Sequence, residues 1–351
     1  MNLSGYHGVE GATMMKETIW TMLEKEHRYC CSNYIRLCHD AGDEGAMARG
    51  ISGRARACRW MFDVVDCLPS LDREVAVVAA GLLDRYLCAD SVLAKRAARM
   101  DCDCHALAAM TCLYVAVKLS GRVIKASAMC RLFDGSGESH TPEELIWYET
   151  HVLSSLGWNL AGPTALQFVG YALELLPGGC EELVPALYAH CKLQAESAVE
   201  DYAMAGLNRS TIAVAAILNA MDLATSQDFL LLQRIEYANE LSRVFFMDLE
   251  SLMMYEVRVR LLHGLQIQAQ AKGYYGPDQA RFEDSPGPSF PVQVSPQEDL
   301  QPGISELQAV DSVPSIACET SDRDTASISA TPSHDFDKDI IDDDYDLFQN
   351  L

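Results

Sequence analysis

The 351-residue chain is predicted to fold as an all-α protein, and three observations predict it. Between about residues 13 and 264 apolar residues recur at helical spacing, the period-2 alternation of strands is missing, and caps and stops punctuate the pattern at short intervals. A composition that is 49% hydrophobic supplies a core, and the length allows two ordinary domains plus a tail.

The first dozen residues carry Gly5, Gly8 and Gly11 and are expected to be mobile. From about Thr13 to Cys38 the chain reads as one amphipathic helix, with Ile19, Met22, Leu23, Tyr29 and Ile35 among charged positions. A break containing Gly, Asp and Glu spans Ala41 to Gly53. Helices are then predicted near 53–66, 72–88, 103–119, 125–132 and 142–155, and again near 164–176, 181–204, 210–225, 228–244 and 248–264. The joint between the two sets is Leu160-Ala-Gly-Pro163. The third helix of each set is rich in small residues: Ala106, Ala108 and Ala109 in the first, and Ala213, Ala215, Ala216 and Ala220 in the second. Small side chains let neighbours approach closely, which suits a central helix. Val75 to Leu83 is apolar all round and reads as buried. The expectation is two similar five-helix bundles preceded by one helix.

From about Pro277 onward the texture changes to Pro, Ser, Thr, Asp and Glu without periodicity. Gly276 to Leu351 holds 17 Asp/Glu against 3 Lys/Arg. Such a segment cannot bury enough apolar surface to offset its ordering entropy, so a disordered acidic tail is expected. Its end sets Phe336, Ile340, Ile341, Tyr345, Leu347 and Phe348 among acids. That end either stays solvated or folds on a basic or hydrophobic partner.

Four charged residues, Arg54, Asp84, Lys118 and Glu149, fall within apolar helical patterns, each on its own predicted helix. The plainest case is Thr141 to Gly157, which opens with a Thr141/Glu144 capping box and Pro142 at the first helical position. At about 100° per residue, Leu145, Val152, Leu153 and Leu156 form one stripe, and Glu149 falls inside it. A carboxylate there needs a partner, because burying it alone costs several kcal/mol or shifts its pKa. In the segment from Asp103 to Leu119, Lys118 shares a face with Leu107, Met110, Tyr114 and Val117. Taken alone, Lys118 could simply complement the carbonyls of the last turn.

Composition narrows the function classes. A net charge of −23 repels phosphate backbones, and no basic stripe with interleaved aromatics is present, so no nucleic-acid partner is expected. No run of 18 apolar residues occurs, and Glu10, Lys16 and Glu17 at the start do not read as a signal peptide. A soluble protein of the nucleus and/or cytoplasm, with no membrane partner, is the expectation. The 13 cysteines sit mostly singly in helices; Cys102-Asp-Cys104-His105 and Cys30-Cys31 with Cys38-His39 are the only clusters. Without paired ligand spacing they read as reduced thiols, and neither a metal nor any other cofactor is expected. The histidines, His105, His140, His151 and His190 among them, are scattered, and no nucleophile elbow or phosphate loop occurs. An enzyme is not expected.

Four stretches together resemble the cyclin box. Arg54-Ala-Arg-Ala-Cys-Arg-Trp-Met-Phe-Asp-Val-Val65 is similar to its first helix, and Val78-Ala-Ala-Gly-Leu-Leu-Asp-Arg-Tyr-Leu87 to its second. Leu107-Ala-Ala-Met-Thr-Cys-Leu-Tyr-Val-Ala-Val-Lys118 is similar to the third, and Tyr148-Glu-Thr-His-Val-Leu-Ser-Ser-Leu-Gly-Trp158 to the fifth. They come in the family's order and spacing. Asn208-Arg-Ser-Thr-Ile-Ala-Val-Ala-Ala216 resembles the helix start of a second box, with Arg209 where Pro is usual and Ser210 keeping the capping chemistry. The resemblance divides the chain into an N-terminal segment (1–50), an N-terminal box (51–160), a second box (161–264) and the acidic tail (265–351).

The resemblance implies roles. Residues at the Arg54 and Asp84 positions pair inside the box. Those at Lys118 and Glu149 grip backbone groups of a cyclin-dependent protein kinase around its movable helix, and those at Leu119, Leu153, Trp158 and Leu160 line the apolar pocket beside them. The family's substrate-docking groove often reads Met-Arg-Ala-Ile-Leu; here Gly53, Arg54, Ala55, Arg56 and Ala57 stand instead, and Ala106 replaces a frequent Gln. Trp60 and Arg54 remain as docking candidates. Ser285-Pro286, Ser295-Pro296 and Thr331-Pro332 are minimal sites for proline-directed kinases. In the PEST-rich tail of such a family they imply removal through a ubiquitin ligase. The implied function is a regulatory subunit that binds and activates a cyclin-dependent kinase in cell-cycle control, nearer a G1 or D-type member than a mitotic one. The alternative is a cyclin-fold scaffold or transcription-type adaptor that activates no kinase.

Overall fold

The computed structural model describes residues 9–32, 34–35, 44–99, 103–133, 140–224 and 229–274, and among them every regular element is helical. In chain order these are α1 (Val9–Glu26), a 3-10 turn (His27–Tyr29), α2 (Glu44–Asp66), α3 (Glu74–Leu87), α4 (Val92–Ala98), α5 (Asp103–Leu119), α6 (Ala126–Phe133) and α7 (Pro142–Ser155). There follow α8 (Ala165–Leu173), a 3-10 turn (Glu181–Leu183), α9 (Val184–Glu200), α10 (Tyr202–Ala205), α11 (Arg209–Leu223), α12 (Leu231–Phe245) and α13 (Leu252–Tyr274).

Two apolar cores organise these helices. Tyr34, Ile35 and the elements from α2 to α7 build the first; Ile19 of α1 joins α8, α9 and α11 to α13 in the second. Each core surrounds a helix rich in small side chains. Ala108 to Val117 of α5 and Ser210 to Met221 of α11 are buried without interruption. Small residues at those positions let the surrounding helices pack closely on one rod.

Local chemistry sets the helix ends. Thr141 and Glu144 form the reciprocal box that starts α7, with N···O distances of 2.8 and 3.2 Å, and Thr164 and Gln167 repeat the device at α8. Gly121 (φ 75°) and Gly157 (φ 56°) end α5 and α7 in the left-handed region that suits glycine. At the joint between the bundles, a Cβ on Gly162 would fall 2.6 Å from the Tyr29 ring. The N-terminal segment therefore lies over the joint at a spot only glycine permits.

Several boundaries differ from the sequence expectation. Helix α1 begins at Val9, inside the stretch expected to be mobile, and stops at Glu26, where a 3-10 turn and non-helical Cys30 to Ser32 interrupt the predicted helix; its predicted end, Cys38, lies outside the described residues. Helix α2 starts at Glu44 and runs through the expected break; Gly50 and Gly53 lie buried within it. The short α4 was not anticipated; Ser91 caps it, its hydroxyl accepting from Ala94 N. The segment expected as one helix over 181–204 divides, because Asp201 turns the chain and its side chain accepts from Ala203 N to start α10. Helix α13 runs to Tyr274, so the tail does not begin at residue 265. The disorder expected beyond that point falls on residues 275–351, outside the described ones.

One buried titratable group in the first core makes stability depend on pH. His105 of α5 is buried, and burial pushes its imidazole down to about 4; the Ala97 carbonyl opposes that shift, Arg54 and Arg56 add to it, and Asp84 opposes it. In the unfolded chain a histidine titrates near 6.5. Between those values the unfolded state binds the extra proton, so stability is full above about pH 6.5 and falls as pH drops towards 4, by about 3 kcal/mol at the lower limit. Urea unfolding at pH 7 and pH 5 should show a loss of about 2 kcal/mol attributable to this residue. In His105→Gln that share of the pH slope should vanish.

Candidate functional site

The four charges picked out in the sequence form two ion pairs of opposite character. Arg54, on α2, sits opposite Asp84, on α3, and each is nearly sealed, at 2% and 1% exposure. Arg54 Nε donates to Asp84 Oδ1 at 2.6 Å and Nη2 to Oδ2 at 2.7 Å, a bidentate fork that matches the carboxylate plane. Tyr34 OH donates to the same Oδ1 at 2.9 Å. The third guanidinium nitrogen, Nη1, donates to the carbonyls of Val199 (2.8 Å) and Glu200 (3.4 Å) at the end of α9. Burial disfavours the Arg54 cation, but the Asp84 charge prevails and holds its pKa well above the ordinary value. This cluster joins the N-terminal segment, the first bundle and α9 of the second.

The other pair lies at the surface. Lys118 ends α5 and Glu149 lies midway along α7, and Lys118 Nζ donates to both carboxylate oxygens, at 2.6 and 2.9 Å. The lysine side chain is 45% exposed and the glutamate 13%. Lys118 is thus not within the apolar stripe that its helix period predicted: α5 has reached its last turn there, and the side chain emerges. Its ammonium stands 4.6 Å from the centroid of the Tyr114 ring, one turn back on the same helix. The backs of both helices are anchored in the core by Leu145, Val152, Tyr148 and Val117. The charges therefore sit on rigid supports.

Along the chain, Leu119 follows Lys118, Leu153 stands one turn on from Glu149, and Trp158 and Leu160 come just beyond the end of α7. Leu119 is 44% exposed and Trp158 67%, while Leu153 and Leu160 are partly buried and pack on the first core. Trp158 follows Gly157 in the left-handed region (φ 60°), its N–H donating to the Leu153 carbonyl at 3.0 Å. That conformation costs a non-glycine residue of order 1 kcal/mol, and it turns a large aromatic ring outward.

The remaining candidates fall elsewhere. Trp60 and Arg54 are each 2% exposed, so the substrate-docking expectation does not fit their placement: Trp60 packs within the first core and Arg54 spends its donors on Asp84 and α9. Ser285, Ser295 and Thr331 lie outside the described residues. Sequence reasoning missed Tyr34 as a partner of Asp84, because it was placed on a helix that does not extend so far. Tyr114 was visible as the residue four before Lys118 but was read only as part of a stripe. It also missed Glu26, which is buried and caps α11 from a distance: its carboxylate accepts from Ser210 N at 3.0 Å and Ser210 Oγ at 2.6 Å.

Comparison with known proteins finds similarity over part of this chain. Residues 17–161 match the family model described as the cyclin N-terminal domain, a span that takes in most of α1 as well as the first bundle. The chain is 32% identical over 133 residues to the G1/S-specific cyclin-D2 of Gallus gallus, an alignment covering 37% of this chain and 41% of that one. It is 26% identical over 215 residues to the G1/S-specific cyclin-D1 of Homo sapiens, covering 60% and 68%. The chain thus spans less than half the length of the first of these relatives and about two thirds of the second. Among solved structures, a viral cyclin from herpesvirus saimiri superposes with a TM-score of 0.49 at 18% identity, over 73% of this chain and 96% of that one. Residues 17–161, which hold the first core, thus match the cyclin N-terminal domain, and the chain is similar to D-type cyclins.

Proposed function

We propose that this protein is a regulatory subunit that binds and activates a cyclin-dependent protein kinase in cell-cycle control, in the G1 phase. The observation that carries the reading is the Lys118–Glu149 pair, held at the surface by two core-anchored helices; Leu119, Leu153, Trp158 and Leu160, near it along the chain, would form its apolar rim. A lysine ammonium has three donors and a carboxylate about four acceptor positions, so each group keeps capacity after pairing with the other. Backbone carbonyls of a partner helix can take the spare ammonium hydrogen, and its N–H groups the spare carboxylate lone pairs. Pairing before the encounter keeps either charge from being stranded as the partner excludes water, and the apolar rim supplies the burial that makes such bonds count.

The chain supplies no chemistry of its own in this reading. A protein kinase aligns ATP only when its β3 lysine and C-helix glutamate are paired, and a rigid surface that favours the inward helix shifts that equilibrium. A partner that prefers the inward state by ordinary coupling energies should raise kinase activity by ~10–100-fold. The test adds the purified full-length chain to a panel of inactive monomeric cell-cycle kinases and follows phosphorylation of a generic peptide. A member of the panel that binds and is stimulated supports the proposal. Binding without stimulation would favour the scaffold or adaptor reading, and no binding across the panel would overturn both.

A further inference from the structure

Helix α13 packs on α9 and α11 and completes the second bundle. Met254, Val257 and Leu261 bury one side of it in the second core. The other side is apolar as well, yet it faces water: Leu252, Tyr255, Val259 and Leu262 are each between 39% and 72% exposed. At about 100° per residue these side chains form one stripe. Their spacing of three, four and three residues is that of a coiled-coil seam, and exposed Gln266 continues it. A helix apolar on both sides is expected to be covered on both, and a continuous apolar strip at the surface marks a place of association.

We propose that this stripe docks a second copy of the chain, α13 lying antiparallel on its own counterpart across a two-fold axis. In such an interface the same patch serves both subunits, so it must complement itself. The charges beside the stripe meet that condition. Glu256 and His263, both exposed, flank one edge of it a heptad apart. Arg258 flanks the other edge and is committed to Asn219 and Asp222. Arg260, one turn on from Glu256, is forked onto Asp201 at 2.9 and 3.1 Å.

These flanking groups also select the register, as they do in coiled coils. When Val259 lies against Leu262 of the partner subunit, and Leu262 against the partner's Val259, Glu256 falls opposite the partner's His263 on both sides of the axis. The carboxylate accepts, and an imidazole N–H donates whichever protonation state the ring holds. Tyr255 then meets Gln266 of the partner subunit, hydroxyl to amide. Sliding one helix by a heptad, so that Tyr255 meets the partner's Val259, sets Glu256 against its own copy and Arg258 against its own. Turning the helices parallel sets Arg258 beside the partner's His263 without an acid between them. Like charges so placed count against both alternatives. The stripe is short, so the dimer is a weak and reversible one.

Sedimentation velocity on the full-length chain from about 1 to about 100 μM reads the association, the range in which a small interface exchanges. Wild type should move towards twice the monomer mass as concentration rises. Val259→Glu places a carboxylate in the apolar layers on both sides of the axis and should weaken association by at least ~30-fold. Its melting temperature should stay near that of wild type, because the residue is half exposed in the free chain. Glu256→Lys should weaken association by about 5-fold through the loss of two symmetry-related pairs. Adding His263→Glu to Glu256→Lys re-forms each pair with its signs exchanged and should restore the dimer. A wild type that stays monomeric at every concentration would overturn the proposal and leave the stripe to a different polypeptide. A dimer that Val259→Glu leaves intact, or a double variant no better than Glu256→Lys alone, would overturn it as well.

Discussion

Replacing Asp84 by Ala should destabilise this protein by about 3–5 kcal/mol, enough to leave a marginally stable domain largely unfolded. The size follows from what remains. Arg54 is 2% exposed, and two of its three nitrogens donate to Asp84 at 2.6 and 2.7 Å. Without the carboxylate those donors face an apolar core, and Tyr34 OH loses its acceptor as well. The Val199 and Glu200 carbonyls are partial dipoles and cannot replace a full charge. Arg54→Lys should fare little better, because one ammonium cannot serve Asp84 and the end of α9 together. Exchanging both partners for apolar residues, as in Arg54→Met with Asp84→Leu, removes the stranded charge and should recover much of the loss. Urea midpoints for the three variants give the comparison. An Asp84→Ala protein within about 1 kcal/mol of wild type would mean that the pair is not what holds these helices together.

How much of this was legible in the sequence depends on the range of the forces involved. Arg54 and Asp84 could be picked out because a charge in an apolar helix demands a partner whatever the fold. Their pairing to each other came only through the family resemblance, since nothing local joins α2 to α3. The capping box at Thr141 was readable because it is built within four residues. Glycines misled for the opposite reason. Gly50, Gly53 and Gly264 look like breaks, and each costs about 1 kcal/mol in a helix interior. Gly50 and Gly53 are nevertheless buried in α2, and a Cβ on Gly264 would lie 3.1 Å from Ser197 Oγ. At Gly264 glycine serves close packing between helices, which no window along the chain can detect. The run after Gly264 is rich in Gln and Ala, good helix formers that carry α13 past the glycine. Helix α4 was hidden by its seven-residue length, too short to show a period. The surface pair was harder: the wheel put Lys118 and Glu149 among apolar residues, and only the end of α5 explains why the lysine emerges.

The double substitution Lys118→Ala/Glu149→Ala should leave the fold intact and weaken kinase binding by at least ~30-fold, the loss of one strong interface contact. A surface pair whose lysine is nearly half exposed contributes about 1 kcal/mol or less to the free protein, so the melting temperature should move little. The exchange Lys118→Glu/Glu149→Lys separates the two roles of the pair. It keeps an ion pair between α5 and α7 but reverses which position offers donors and which acceptors to a partner. If the pair serves only to hold the helices, the exchanged protein should bind as wild type does; if it serves the partner, binding should fall although stability is kept. The most direct measurement is therefore the dissociation constant of the wild-type and exchanged proteins for one stimulated kinase, with circular dichroism confirming that both are folded. A loss of ~30-fold or more in the folded, exchanged protein is the predicted result. Equal affinity for that kinase would contradict the assignment of Lys118 and Glu149 to partner recognition.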